Sequence, residues 1–235
     1  MRFPRVVVPF ACVARYCASI LHSLILCATI LCTTPGDAVA QAVTHPELNA
    51  QLLVAARQGE LTQVKRLLDQ GAAVNSRNRL GKSALLIASE KGHAELATTL
   101  IAAGADVNLQ SLERVTPLMA ASYNGNAELV RTLLIAGARV DPLDRMHKPA
   151  ALYAAGQGNA SALAVLLASG IDVNATYEHQ LTLLMWAAGQ GHADAVRLLI
   201  AHGASADLRD DRGMTAIEIA REAGQEIVAQ SAGLR

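Results

Sequence analysis

The stretch Thr116-Pro117-Leu118-Met119-Ala120-Ala121-Ser122-Tyr123-Asn124-Gly125, continued by NAELVRTLLIAGARVD over 126–141, decides how this chain folds. The Thr116 hydroxyl can accept from the backbone of a first helical turn, and Pro117 has the backbone angle that turn needs. Leu118, Ala121 and Ser122 then fall on one face at the 3.6-residue period. Gly125 ends this helix, since a left-handed residue costs glycine least. A second helix is predicted over 127–135, with Leu129, Val130, Leu133 and Leu134 as its apolar stripe and Gly137 as its terminator. One such pair of helices cannot bury both of its faces; stacked copies can.

The copies are present. Gly59, Gly92, Gly125, Gly158, Gly191 and Gly224 recur every 33 residues, and Gly71, Gly104, Gly137, Gly170 and Gly203 repeat the same interval. Ala55, Ala88, Ala121, Ala154, Ala187 and Ala220 occupy one further position of the period. Aliphatic residues occupy two more: Leu52, Leu85, Leu118, Ala151, Leu184 and Ile217 in one, and Leu67, Leu100, Leu133, Leu166 and Leu199 in the other. A methyl group at the alanine position lets neighbouring helices approach closely. The expected fold is all-α, a solenoid of helix-turn-helix units over about 48–80, 81–113, 114–146, 147–179 and 180–212, with a C-terminal cap at 213–235.

The first forty residues follow another rule. Arg2, Arg5 and Arg15 precede an apolar stretch over 18–32, Pro35 and Gly36 break it, and Ala38-Val39-Ala40 offers small residues where a signal peptidase reads. A signal peptide over 1–40, cleaved before Gln41, and a linker over 41–47 are expected. The alternative is an uncleaved membrane anchor holding a structural scaffold, although the apolar run falls short of the roughly 20 residues of a membrane span. Cys12, Cys17, Cys27 and Cys32 all lie in this segment, so the mature chain would hold no disulfide, thiolate nucleophile or Cys-ligated metal. The net charge is zero, and no Lys/Arg block points to nucleic acid.

Val115-Thr116-Pro117-Leu118-Met119-Ala120-Ala121, Gly92-His93-Ala94-Glu95, Gly104-Ala105-Asp106-Val107-Asn108 and Gly137-Ala138-Arg139-Val140-Asp141 resemble ankyrin repeats. The likeness extends from about Leu48 to the C-terminus and is similar to that of small exported bacterial ankyrin proteins. It implies a protein-binding module with a concave groove, in the role of an adaptor, an enzyme-supporting factor or an inhibitor of the immunity type. The export signal and the Cys-free solenoid point to a periplasmic location (extracellular in an organism without a periplasm), and no catalysis, no cofactor and no small-molecule substrate are expected. A monomer is expected, without stable membrane association after cleavage. The family's opening histidine is replaced by Leu53, Leu86, Met119, Leu152, Met185 and Glu218, which puts the rigidity of the turns in question. Pro149-Ala150 replaces Thr-Pro in the fourth unit and predicts an irregular turn there.

The family's contacts come from turn tips and exposed first-helix residues. The tips fall at 77–80, 111–113, 144–146, 177–179 and 210–212. Beyond residue 40 the aromatic residues are Tyr123, Tyr153, Tyr177 and Trp186, all at tip or groove positions of the third to fifth units. Such rings anchor protein interfaces. The expected contact set is Tyr123, Asn124, Tyr153, Gln157, Tyr177, His179, Trp186 and Gln190. The competing reading is that Tyr153 and Trp186 fill space between helices. His93 and His192 stand at the family's Gly-His position and read as helix caps. His147 and His179 lie on adjacent tips without a carboxylate at ligand spacing, which argues against a metal site. Gly156-Gln157-Gly158 and Gly189-Gln190-Gly191 follow helices rather than strands, so they do not read as phosphate loops.

Overall fold

The computed structural model describes residues 45–225. The expected signal peptide, most of the expected linker and the end of the cap lie outside the described residues. Eleven α-helices fall within them. They are α1 (Pro46–Gln58), α2 (Leu61–Asp69), α3 (Ala84–Lys91), α4 (Ala94–Ala102), α5 (Pro117–Tyr123), α6 (Ala127–Ile135), α7 (Ala150–Gly156), α8 (Ala160–Ala168), α9 (Leu183–Gly189), α10 (Ala193–Ala201) and α11 (Ala216–Glu222). The helix predicted over 127–135 is α6, and the linker's last two residues, Pro46 and Glu47, already belong to α1.

The helices form two layers. Each odd-numbered helix packs on the next odd-numbered one, and the even-numbered helices stack likewise behind them. The repeated alanines hold the first layer together: Ala55, Ala88, Ala121, Ala154, Ala187 and Ala220 are all buried. Leu67, Leu100, Leu133, Leu166 and Leu199 fill the space between layers, and one continuous apolar core runs from Leu52 to Ala220. Among the described residues no helix is long and apolar enough to cross a membrane.

Three of the turns close reciprocal caps without the family's histidine. Thr116 accepts from the Met119 backbone N–H, and the Met119 sulfur in turn accepts from the Thr116 N–H at 3.5 Å. Thr182 and Met185 repeat the arrangement at 3.4 Å, and Thr215 and Glu218 repeat it with a carboxylate at 2.7 Å. Each closes a reciprocal cap that satisfies two otherwise orphaned donors. Pro149 lacks any such side-chain cap, yet its turn is regular: Asp144 N–H donates to the Lys148 carbonyl at 3.2 Å.

A ladder of side-chain amides joins successive units. The amide groups of Asn75, Asn108 and Asn174 each donate to a glycine carbonyl one unit on, at Gly104, Gly137 and Gly203. Their carbonyl oxygens accept from Asp106, Arg139 and Ser205 backbone N–H groups. Asp141 occupies the equivalent position between the third and fourth units. Without an amide it has nothing to donate, and it pairs with Arg139 instead at 2.6 Å.

Candidate protein-binding surface

The residue preceding each repeated alanine varies in exposure along the first layer. Val54 is exposed, Ile87 and Ala120 are buried beneath their neighbours, and Tyr153 and Trp186 are half-buried. Small residues at 120 leave room over α5, which the ring of Tyr153 enters from α7. Its phenol donates to the Asp144 carboxylate at 2.5 Å. Burial, and then the Asp144 carboxylate, hold the phenol protonated well above the ordinary tyrosine range. The ring meets Tyr123 edge-on, with centroids 6.0 Å apart and planes 76° apart. That edge-to-face geometry is the favourable one for two aromatic quadrupoles.

The tyrosine pair stands between two hollows. One, of about 260 Å³, is lined by Glu90, Val115, Met119, Ala120, Tyr123 and Tyr153. The other, of about 220 Å³, is lined by Tyr123, Lys148, Leu152, Tyr153, Gln157, Trp186 and Gln190. The Lys148 ammonium lies 4.6 Å from the Trp186 ring centre, within cation–π range. Past Trp186 a third hollow of about 290 Å³ reaches Ile219 and Glu222 on α11. The result is a chain of shallow apolar depressions along the first layer, with aromatic partitions between them.

The remaining expected contact residues divide. Gln157 and Gln190 are exposed beside Trp186. Asn124 is exposed too, but its amide donates to the Ser89 and Glu90 carbonyls at 2.9 Å each, and so ties α5 to α3. Tyr177 is half-buried against the core, and burial, then the nearby Asp172 carboxylate, raise its phenol pKa. A short 3-10 turn over Glu178–Gln180 follows it, with His179 in the left-handed region at φ 58° and hydrogen-bonded to Asp211 at 2.8 Å. His147 and His179 border the same small crevice. Among the described residues no three His, Cys, Asp or Glu side chains group as metal ligands.

Three residues expected on the tips serve the turns instead. Ser111, Asp144 and Asp210 are buried, and Asp144 accepts from the Met146 and Lys148 backbone N–H groups at 2.8 Å each. With Asn78, which also accepts from its own turn, they share one position of the 33-residue period. That shared position was the available signal. The histidines at the Gly-His position do not cap their own helices: His192 bonds the terminal Gly156 carbonyl of α7, in the preceding unit. Gly158 is explained by the same contact, since a Cβ there would lie 2.5 Å from the His192 ring. A larger hollow than those along the aromatic residues, about 650 Å³, lies over α1 beside Val54, Arg57 and Arg79, where no aromatic residue marked it.

Stacked helix pairs with projecting turns and an open apolar groove define a repeat scaffold. The sequence profile of ankyrin repeats (three copies) matches residues 19–111, 52–144, 104–177 and 151–230, and the chain belongs to the ankyrin-repeat family. None of the curated protein sequences matches it. Among solved structures it is similar to EF0377, an ankyrin repeat protein, with 28% identity and a TM-score of 0.71 over 79% of this chain and 98% of that one. It is also similar to a chain of the complex between Bd0816, a predatory endopeptidase from Bdellovibrio bacteriovorus, and the immunity protein Bd3460. There the identity is 25% and the TM-score 0.70, over 77% of this chain and 96% of the other. Ankyrin repeats mediate protein–protein interaction.

Proposed function

We propose that the chain is an exported, non-catalytic binder that grips one protein partner in the groove between Met119 and Ile219. The observation that carries this reading is the run of hollows partitioned by Tyr123, Tyr153 and Trp186. Half-buried rings with open apolar space on both sides present anchoring area at little entropic cost. The hollows of the groove are lined by no serine, cysteine or histidine side chain, which favours binding over catalysis. Export is supported by the charged, apolar and small-residue order of 1–40. A role as an inhibitor of the immunity type is in keeping with the likeness to the endopeptidase–immunity protein complex; a role supporting an exported enzyme uses the same groove.

The test is cross-linking in intact cells through a C-terminal tag, beside a Tyr153→Ala/Trp186→Ala variant whose fold is verified by circular dichroism. The expected outcome is one protein partner retained by the native chain and lost from the variant. With the partner purified, Trp186→Ala alone is expected to weaken binding by more than about 2 kcal/mol. Undiminished binding by a folded double variant would move the site off the groove. Osmotic-shock fractionation checks export: the mature protein is expected in the wash, and retention with membranes would favour the anchored scaffold.

A further inference from the structure

We infer that the turn edge of the first four units binds an acidic protein segment carrying apolar side chains; this rests on the protein-binding reading and names the partner's chemistry. Leu80, Leu112 and Met146 stand on successive turns and are 60%, 55% and 60% exposed. The turns form one continuous ridge, because Leu112 N–H donates to the Leu80 carbonyl at 2.9 Å and Arg145 N–H to the Glu113 carbonyl at 3.2 Å. Large apolar side chains set side by side on an exposed ridge mark an interaction surface.

The net charge on this ridge is positive. Lys82 is neutralised by Glu90 and Arg145 by Glu113. Arg79, Arg114 and Lys148 make no ion pair among the described residues. The ridge's one further acid, Asp144, is buried and committed to its turn and to Tyr153. Beyond Lys148 the sign changes. Glu178 is exposed, His179 pairs with Asp211, and Arg212 is held by Asp210 and Glu222. A neutral chain therefore presents a basic, apolar ridge between Arg77 and Lys148, and that field orients an approaching acidic partner.

Arg114 sits in the left-handed region at φ 61°, at the position where Gly81 and Gly213 stand in the outer units and where His147 and Gln180 share the same backbone conformation. The cations stand about one to a turn and alternate with apolar residues. A continuous polyanion such as nucleic acid, or an anionic bilayer, would meet Glu178 and Asp211 on the adjoining turns. A peptide that alternates Asp or Glu with large apolar residues meets each feature once.

The probe is a phage-displayed library of random peptides selected on the full chain, with synthetic copies of the winners measured by fluorescence anisotropy. Enriched peptides are expected to combine carboxylates with at least one large apolar residue. Their affinity is expected to fall about tenfold in Arg79→Glu/Arg114→Glu and to weaken as salt is raised. Arg114→Gly separates binding from folding: relieving the strained residue should raise the melting temperature while weakening the peptide. Enrichment of neutral or basic peptides, or acidic peptides indifferent to both variants, would overturn the ridge while leaving the groove reading intact. Peptides lost only from Tyr153→Ala/Trp186→Ala would have the same meaning. Failure to enrich any peptide, with binding only to phosphatidylglycerol vesicles, would overturn the ridge, while the groove reading is decided by the cross-linking.

Discussion

The third and fourth units occupy adjacent places in one stack and hold themselves together by different means. The third is locally complete. Thr116 and Met119 close a reciprocal cap on α5, and the Asn126 side chain caps α6 by accepting from the Leu129 N–H at 3.0 Å. Asn108 bonds it to the second unit. The fourth unit lacks each of these. Pro149 cannot cap α7, Asn159 sends its amide back to the Ser122 and Tyr123 carbonyls rather than capping α8, and Asp141 breaks the amide ladder. Ala151 also replaces the leucine that α5 carries at Leu118. What the fourth unit has instead is Tyr153, whose phenol pins the turn at Asp144. A ring that faces the groove is therefore also a turn fastener, a use that neither expected role for it, partner contact or space-filling, included.

Substitutions can break this contrast or sharpen it. The largest effect is expected for Leu118→Ala, which gives α5 the small residue α7 already has; it should cost about 2–5 kcal/mol in urea unfolding. Ala121→Leu and Ala154→Leu each place a bulky side chain between first-layer helices and should cost about 1–3 kcal/mol. A markedly smaller loss at 154 would show that the less tied fourth unit yields more readily. Tyr153→Phe, which removes only the bond to Asp144, should lower stability by about 1–2 kcal/mol, while Tyr123→Phe leaves it unchanged. Equal effects would mean that the phenol of Tyr153 does not fasten its turn. Smaller still, Pro149→Thr should gain about 0.5 kcal/mol by supplying the missing cap, and Thr116→Ala should lose about 1. Asp141→Asn restores the ladder but gives up an exposed ion pair, so a gain of a few tenths of a kcal/mol is expected.

The stack was legible from spacing because its packing tolerates so little. A methyl at Ala121 or Ala154 and a left-handed glycine at Gly125 or Gly158 are near-obligatory, so they recur at fixed intervals, and the limits of α6 follow from them. The positions of Tyr123, Tyr153 and Trp186 on the groove side were legible for the same reason. Their partners were not. Nothing in the spacing of Tyr153 and Asp144 states that a phenol reaches back nine residues to a buried carboxylate. The caps by Met119 and Met185 escaped as well, since a thioether is a weak acceptor that gives no sequence signal of capping. Asn124 looked like a contact residue because it shares a position with Lys91, Gln157 and Gln190, and only geometry shows its amide spent within the stack. A net charge of zero averaged over the whole chain concealed the basic ridge.

Hydrogen–deuterium exchange of the full chain, alone and with the partner captured in cells, tests the central claim most directly. Binding in the groove predicts slowed exchange over 115–123, 148–157 and 181–190, with the second-layer helices α6, α8 and α10 unchanged. Protection confined to α6, α8 and α10, with the first layer unaffected, would contradict it.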